Sequence, residues 1–218
     1  RSEMGALAYL VKTRLPEYIG ASPFEIQVLT PMRKGELGVE HLNEVLQYYL
    51  NPASESKKEK EGRTGVFREG DKVMQVKNNY KLEWKITNAK GFSIEEGLGV
   101  FNGDMGIIKQ INTYSERITV VFDENREAEY PFSSLDELEL AYAITIHKSQ
   151  GSEYPAVVLP LLSGPPILCN RNLLYTAITR AQKCVAIAGR QSMVEQMIHN
   201  ETEQKRYSGL NDCLKEGL

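Results

Sequence analysis

The sequence has little cysteine, no long hydrophobic run and no surplus of charge of either sign. Its three cysteines, Cys169, Cys184 and Cys213, are odd in number and widely spaced, which argues against a disulfide framework or a zinc site and fits a reducing compartment. The longest apolar runs, such as Ala156–Leu162, fall far short of a membrane span. No basic-plus-apolar leader opens the chain, so a cytoplasmic location without membrane contact is expected. Lys and Arg number 26 against 29 Asp and Glu, so bulk positive charge is no route to nucleic acid, and such binding requires a local basic groove. Two signatures of nucleotide chemistry are also missing. No Gly-x-x-x-x-Gly-Lys-Ser/Thr loop is present to cradle phosphate, and no expected strand ends in Asp-Glu to hold magnesium. A complete nucleotide-hydrolysing site cannot be assembled from these residues.

What is there is an ordinary folded composition, 41% hydrophobic, over enough residues for one large domain or two small ones. The chain is in helical pattern by Gly5–Val11, from which a cut out of a longer protein is expected. Glu25–Thr30 reads as a buried strand. Val39, Leu42, Val45, Leu46, Tyr49 and Leu50 recur at three-and-four spacing, an amphipathic helix that Asn51-Pro52 stops. Residues 53–65 read as a solvated loop, Lys72–Val76 as a strand, and 85–99 as irregular. Gly106–Ile111, Arg117–Phe122 and Ala128–Phe132 are short β-branched or aromatic segments that predict a small antiparallel barrel. From Ala141 strands (Ala141–Ile146, Ala156–Leu161, Lys183–Ala188) alternate with helices (Asn172–Gln182, Ser192–His199), as in a parallel sheet covered on its faces. The expected architecture is therefore α/β, with residues 1–99 and 141–218 forming one discontinuous domain and 100–140 a barrel insert. Phe101, Phe122 and Phe132 are expected in the barrel core. Tyr80 and Trp84 have two readings, packing between insert and core or stacking on bases.

Three segments carry chemistry. Thr145-Ile146-His147-Lys148-Ser149-Gln150-Gly151-Ser152-Glu153 follows a buried strand, where open α/β sheets bind ligands. Its hydroxyls, backbone N–H groups and lysine suit phosphate oxygens, and Gly151 allows close approach of backbone. A polar surface loop is the competing reading, as is a hydrogen-bonded packing role for His147. Asn172–Gln182 buries Leu173, Leu174, Ala177, Ile178 and Ala181 and presents Arg180 near the helix end. There Arg180 either complements the helix dipole or reaches a nucleotide's terminal phosphate. Thr30-Pro31-Met32-Arg33-Lys34-Gly35 follows another buried strand, with Arg33 and Lys34 either phosphate-seeking or simply solvated.

In this order the three segments resemble motifs IV, V and VI of the second motor domain of superfamily 1 helicases, closest to the RecD-like branch that includes exodeoxyribonuclease V alpha-subunit relatives. Leu29–Gly38 is similar to motif IV, Thr145–Glu153 to motif V and Asn172–Gln182 to motif VI. Phe67–Gln75 and Asn102–Gly106 are similar to linking segments of that branch. The resemblance implies a RecA-like parallel sheet of the P-loop NTPase fold with an SH3-like barrel inserted. It implies ATP between this domain and a preceding RecA-like domain of the same polypeptide, which would hold the phosphate loop and the Mg2+ ligands. It further implies single-stranded DNA beneath both domains and movement from 5′ to 3′. By this resemblance Arg180 is the arginine finger, and Arg33, Gly151 and Glu153 meet ATP. Thr30, Thr145, His147, Lys148 and Ser149 meet the DNA backbone. The barrel is a surface for other repair or recombination proteins, and this piece alone is expected to be inactive. A non-catalytic binding module and the helicase portion of a conjugative relaxase remain open beside this reading.

Overall fold

Two principal sheets organise the chain, whose computed structural model describes residues 3–201 other than 64, 89, 163, 166 and 167. Helix α1 (Glu3–Tyr9) continues through a π-helical stretch, Leu10–Arg14, into α2 (Leu15–Ile19). Strand β1 (Ile26–Thr30) and helix α3 (Val39–Leu50) follow, then a small hairpin of β2 (Glu59–Glu61) and β3 (Val66–Arg68). The next strands are β4 (Lys72–Gln75), β5 (Asn79–Thr87), β6 (Ser93–Val100), β7 (Met105–Asn112), β8 (Arg117–Phe122), β9 (Glu127–Pro131) and β10 (Leu138–Leu140). They form one antiparallel sheet in the order β10-β4-β7-β8-β9-β5-β6. Strands β11 (Ala143–Thr145) and β12 (Tyr154–Leu161), helix α4 (Arg171–Ile178), strand β13 (Ala181–Gly189) and helix α5 (Gln191–His199) complete the described chain.

Strands β11, β1, β12 and β13 pair in that order, all parallel, and their residues alternate between two cores. Val28, Ala156 and Val158 face Leu7, Val11, Leu42 and Leu46 of the first helices. Leu29, Val157 and Leu159 face Leu173, Leu174, Ala177, Met193 and Met197 of α4 and α5. Each fully buried valine, leucine or methionine among these contributes roughly 1.5–3 kcal/mol of transfer free energy, which is why β12 reads as a continuous apolar run. This is the RecA-like layer arrangement expected, with the barrel threaded between α3 and β11.

Several sequence expectations need correction. The antiparallel sheet starts at Lys72, so the insert expected at 100–140 omits three of its strands, β4, β5 and β6. Residues 85–99 are not irregular but largely the two arms of the β5–β6 hairpin. Strand β6 lies at the sheet edge with most of its residues exposed, so no alternation of apolar residues marks it. Part of 53–65 is the strand β2 rather than loop. Phe122 is in the barrel core, but Phe101 is 40% exposed and meets the still more exposed Tyr80 ring edge-on. Trp84 packs within the barrel sheet, filling the space a side chain at Gly97 would need, with the Arg126 guanidinium 5.6 Å from its ring. Cys169 is buried and Cys184 half-buried, while Cys213 lies outside the described residues. Among the described residues no helix is long and apolar enough to cross a membrane.

The two sheets are joined through buried polar groups. Asn43 on α3 donates to Leu140 O (3.0 Å) and Ala143 O (2.9 Å) and accepts from Ala143 N (2.8 Å). Lys72 of the barrel donates to Phe24 O at 2.7 Å and Gln27 Oε1 at 2.9 Å beside β1. Burial pushes the Lys72 ammonium down to about 8, against the pull of Asp123 and Glu25. Between that value and the ordinary 10.5 the unfolded chain binds more protons here than the folded one, so folding stability rises with pH across that window. Urea midpoints measured at pH 8 and pH 9.5 should show this rise, and Lys72→Met should remove it.

Candidate nucleotide and nucleic-acid site

Because the four strands are parallel, the sheet has one amino edge and one carboxyl edge, and the expected site residues divide between them. Tyr154 pairs with Ala181 where β12 and β13 begin, and Thr30 pairs with Thr145 where β1 and β11 end. Val28 pairs with Val158, which puts Thr30 level with Pro160. Six residues of strand from Tyr154 to Pro160 amount to roughly 20 Å at about 3.3 Å per residue.

At the amino edge stand Gly151, Glu153 and Arg180. Helix α4 stops at Ile178, so Arg180 is not on the helix as expected but in the short link to β13, where its carbonyl accepts from Tyr154 N at 2.8 Å. Its guanidinium donates from Nη1 to Ser152 O and from Nη2 to Thr179 Oγ1, both at 3.3 Å. Its Nε is buried without a partner, and none of the ion pairs among the described residues involves it. A half-buried guanidinium held only by neutral oxygens retains capacity for an anion. Gly151 takes φ +88°, and nothing lies within 4 Å of the position a Cβ would occupy, so backbone is open to a ligand there. Glu153 is exposed and accepts from Gln182 Nε2 at 3.3 Å. Burial pushes the Tyr154 phenol up, against Ser152 and Arg180 beside it.

At the carboxyl edge stand Thr30, Arg33, Thr145, His147, Lys148 and Ser149. Two of these turn their hydroxyls into the protein. Thr30 is 0% exposed, with Oγ1 donating to Leu37 O at 2.5 Å and accepting from Met32 N at 3.3 Å. Ser149 is also 0% exposed, its hydroxyl donating to Ile146 O at 2.7 Å. Both hydroxyls serve the turns that follow their strands, a use that a polar sequence pattern does not separate from ligand binding. Thr145 is half-buried and its Oγ1 accepts from Lys148 N at 3.3 Å, capping the turn Ile146–Ser149 on which His147 is exposed. Arg33 and Lys148 meet at Glu139 of β10: Arg33 Nη2 lies 3.0 Å from Oε1 and Lys148 Nζ 3.2 Å from Oε2. Burial alone would raise the Glu139 carboxyl, but the two cations hold it below its ordinary value. Arg33 therefore sits beside Lys148 at the carboxyl edge and not with Arg180, the grouping expected of it. Sequence reasoning missed Glu139 because its partners lie 106 and 9 positions away and no local pattern links them.

Residues 42–122 match the family model described as the SH3 domain of ATP-dependent RecD-like DNA helicases, and residues 140–188 that of the UvrD-like helicase C-terminal domain. The ATP-dependent RecD2 DNA helicase of Deinococcus radiodurans is 39% identical over 167 residues, covering 77% of this chain and 20% of that protein. The chain belongs to the RecD-like helicase family. The RecD-like relationship extends to the RecBCD enzyme subunit RecD of Mycolicibacterium smegmatis, 30% identical over 191 residues, 88% of this chain and 29% of that one. The chain thus spans less than a third of either relative, in the helicase C-terminal region. A solved Bacteroides Pif1 helicase in complex with ADP-AlF3 and ssDNA aligns over all of this chain and 54% of that one, with TM-score 0.48 and 16% identity.

Proposed function

We propose that the chain is the second motor domain of an ATP-driven DNA helicase that moves from 5′ to 3′ along a single strand. The observation that carries this reading is Arg180, a half-buried guanidinium with no partner for Nε and no carboxylate among the described residues, at the same sheet edge as Gly151 and Glu153. These groups fit a nucleotide's phosphates: Arg180 offers a fork of donors, Gly151 offers uncluttered backbone, and Glu153 offers an acceptor for a ribose hydroxyl. ATP supplies, when bound, a terminal phosphoryl group whose transfer to water builds up negative charge. In this reading Arg180 stabilises that charge from across an interface with a preceding RecA-like domain, whose own residues complete the site. For magnesium, no group of three or more His, Cys, Asp or Glu among the described residues is placed to hold an ion. Its ligands belong, in this proposal, to the preceding domain.

At the opposite edge Thr145, His147, Lys148 and Arg33 serve a strand's phosphates, a use that demands positive charge but no base reading. Separation of the two groups by the length of the sheet suits a motor, in which closure around nucleotide is relayed through a rigid layer to a distant grip. The barrel completes the groove and offers its outer face to other repair or recombination proteins. In the full-length protein, ATP hydrolysis should rise at least tenfold with single-stranded DNA, and a 5′-tailed duplex should be unwound in preference to a 3′-tailed one. Hydrolysis indifferent to DNA would sink the reading, and preference for the 3′ tail would reverse its direction.

A further inference from the structure

Two cations share one carboxylate at the carboxyl edge. Glu139 is mostly covered, its side chain 19% exposed, while Arg33 is 46% and Lys148 27% exposed. The three residues come from three elements: Arg33 from the segment after β1, Lys148 from the turn after β11, and Glu139 from β10, the last strand of the barrel. Each cation spends one donor on Glu139, leaving the group with a net charge of one positive unit and each cation with further donors. Glu139 is ionised at neutral pH because the two cations outweigh its burial, so the arrangement is closed before any ligand arrives.

We propose that Glu139 is a positioning residue for the DNA strand: it holds Arg33 and Lys148 in a latch that a phosphodiester opens by taking Glu139's place. This rests on the reading that the carboxyl edge grips single-stranded DNA. Exchange of carboxylate for phosphate is nearly one for one, since each cation leaves one anionic oxygen as it reaches another. When the phosphate moves on, Glu139 retakes both cations, so neither is stripped of a partner. The strand is thereby held by less than the two cations could supply, which keeps release fast enough for repeated stepping. The latch also connects the barrel to the ends of β1 and β11, so occupancy by phosphate removes one tie between β10 and the sheet while the Asn43 bonds to Leu140 and Ala143 remain.

The test uses oligo(dT) binding to the full-length protein over a range of salt concentrations, with thermal melting of each variant. Glu139→Gln, close to isosteric, should bind about 3- to 10-fold tighter at low salt, with a salt dependence steeper by about 0.7 for each further phosphate that the freed cations neutralise. In a background carrying Arg33→Gln and Lys148→Gln, the same change should bring no tightening. Arg33→Gln alone, at an accessible position that should tolerate the change, should weaken binding and flatten the salt slope. An unchanged slope in Glu139→Gln with normal melting would overturn the latch. So would tightening that persists without the two cations, or an Arg33→Gln variant that binds as before. Failure of the unmodified protein to bind oligo(dT) at all would instead defeat the proposed function.

Discussion

Replacing Arg180 by alanine should lower DNA-stimulated ATP hydrolysis by the full-length protein about a thousandfold or more, the scale associated with an arginine that stabilises phosphoryl-transfer charge. Nucleotide affinity should change far less, because the side chain acts on charge that appears only as the phosphoryl group departs. The geometry gives this effect its size. The guanidinium already has its neutral partners in Ser152 O and Thr179 Oγ1, which fix its orientation without neutralising it. Among the described residues its buried Nε has no hydrogen-bond partner to give up when an anion arrives. Arg180→Lys should recover only a small part of the lost rate, since an ammonium keeps the charge but not the planar fork. Turnover within threefold of the unmodified enzyme in Arg180→Ala would make the residue a structural cation at the start of β13.

The second large effect concerns stability. Asp71 is 0% exposed and accepts hydrogen bonds from Gln47 Nε2 (2.6 Å), Asn51 Nδ2 (2.7 Å), Tyr142 Oη (2.9 Å) and Arg68 N (2.6 Å). These donors come from the end of α3, the approach to β4, and the segment that returns from the barrel, so one carboxylate closes the neck of the insert. Burial raises the Asp71 carboxyl, while the four hydrogen bonds lower it. Asp71→Ala would take an acceptor from four buried donors, leaving Tyr142 Oη and Arg68 N unpaired while Gln47 Nε2 and Asn51 Nδ2 keep Val66 O and Glu69 O, and should destabilise the protein by about 3–5 kcal/mol. For a domain of this size that corresponds to a melting temperature lower by roughly 10 °C. Circular dichroism melts of the two proteins decide it. A shift under about 2 °C would mean that water replaces the carboxylate and that the neck is held elsewhere.

Much of the fold is legible in the sequence, because burial imposes a period. Strands β1, β8 and β12 and helix α3 lie close to where their apolar spacing puts them, since each has at least one face against a core. The β5–β6 hairpin is illegible for the opposite reason: with its surface mostly in solvent, its residues are free to be Lys, Glu, Ser or Gly. The site divides in the same way. Proximity along the chain, and the resemblance to known motifs, bring out Gly151, Glu153 and Arg180. Nothing local reveals that Thr30 and Ser149 turn their hydroxyls inward, because a serine or threonine after a strand serves a turn as readily as a ligand. Nor does any local spacing place Arg33 beside Lys148, since a residue of the barrel's last strand brings them together.

The threading of the barrel between neighbouring strands has a consequence for how the protein is made. Strands β1 and β11 lie side by side, yet Thr30 and its partner Thr145 are separated by the whole insert. Closing a flexible loop of that length costs about 4 kcal/mol of chain entropy before a single ladder bond offsets it. From β5 to β9 the barrel is dominated by neighbouring antiparallel pairs with short connections, which form early and at little entropic cost. Once it folds, its ends emerge together at Asp71 and Tyr142, and the long loop becomes a short one. The insert thus acts as an internal template, and translation order, with β1 emerging before the barrel and β11 after it, leaves the first strand waiting for a neighbour that the barrel delivers.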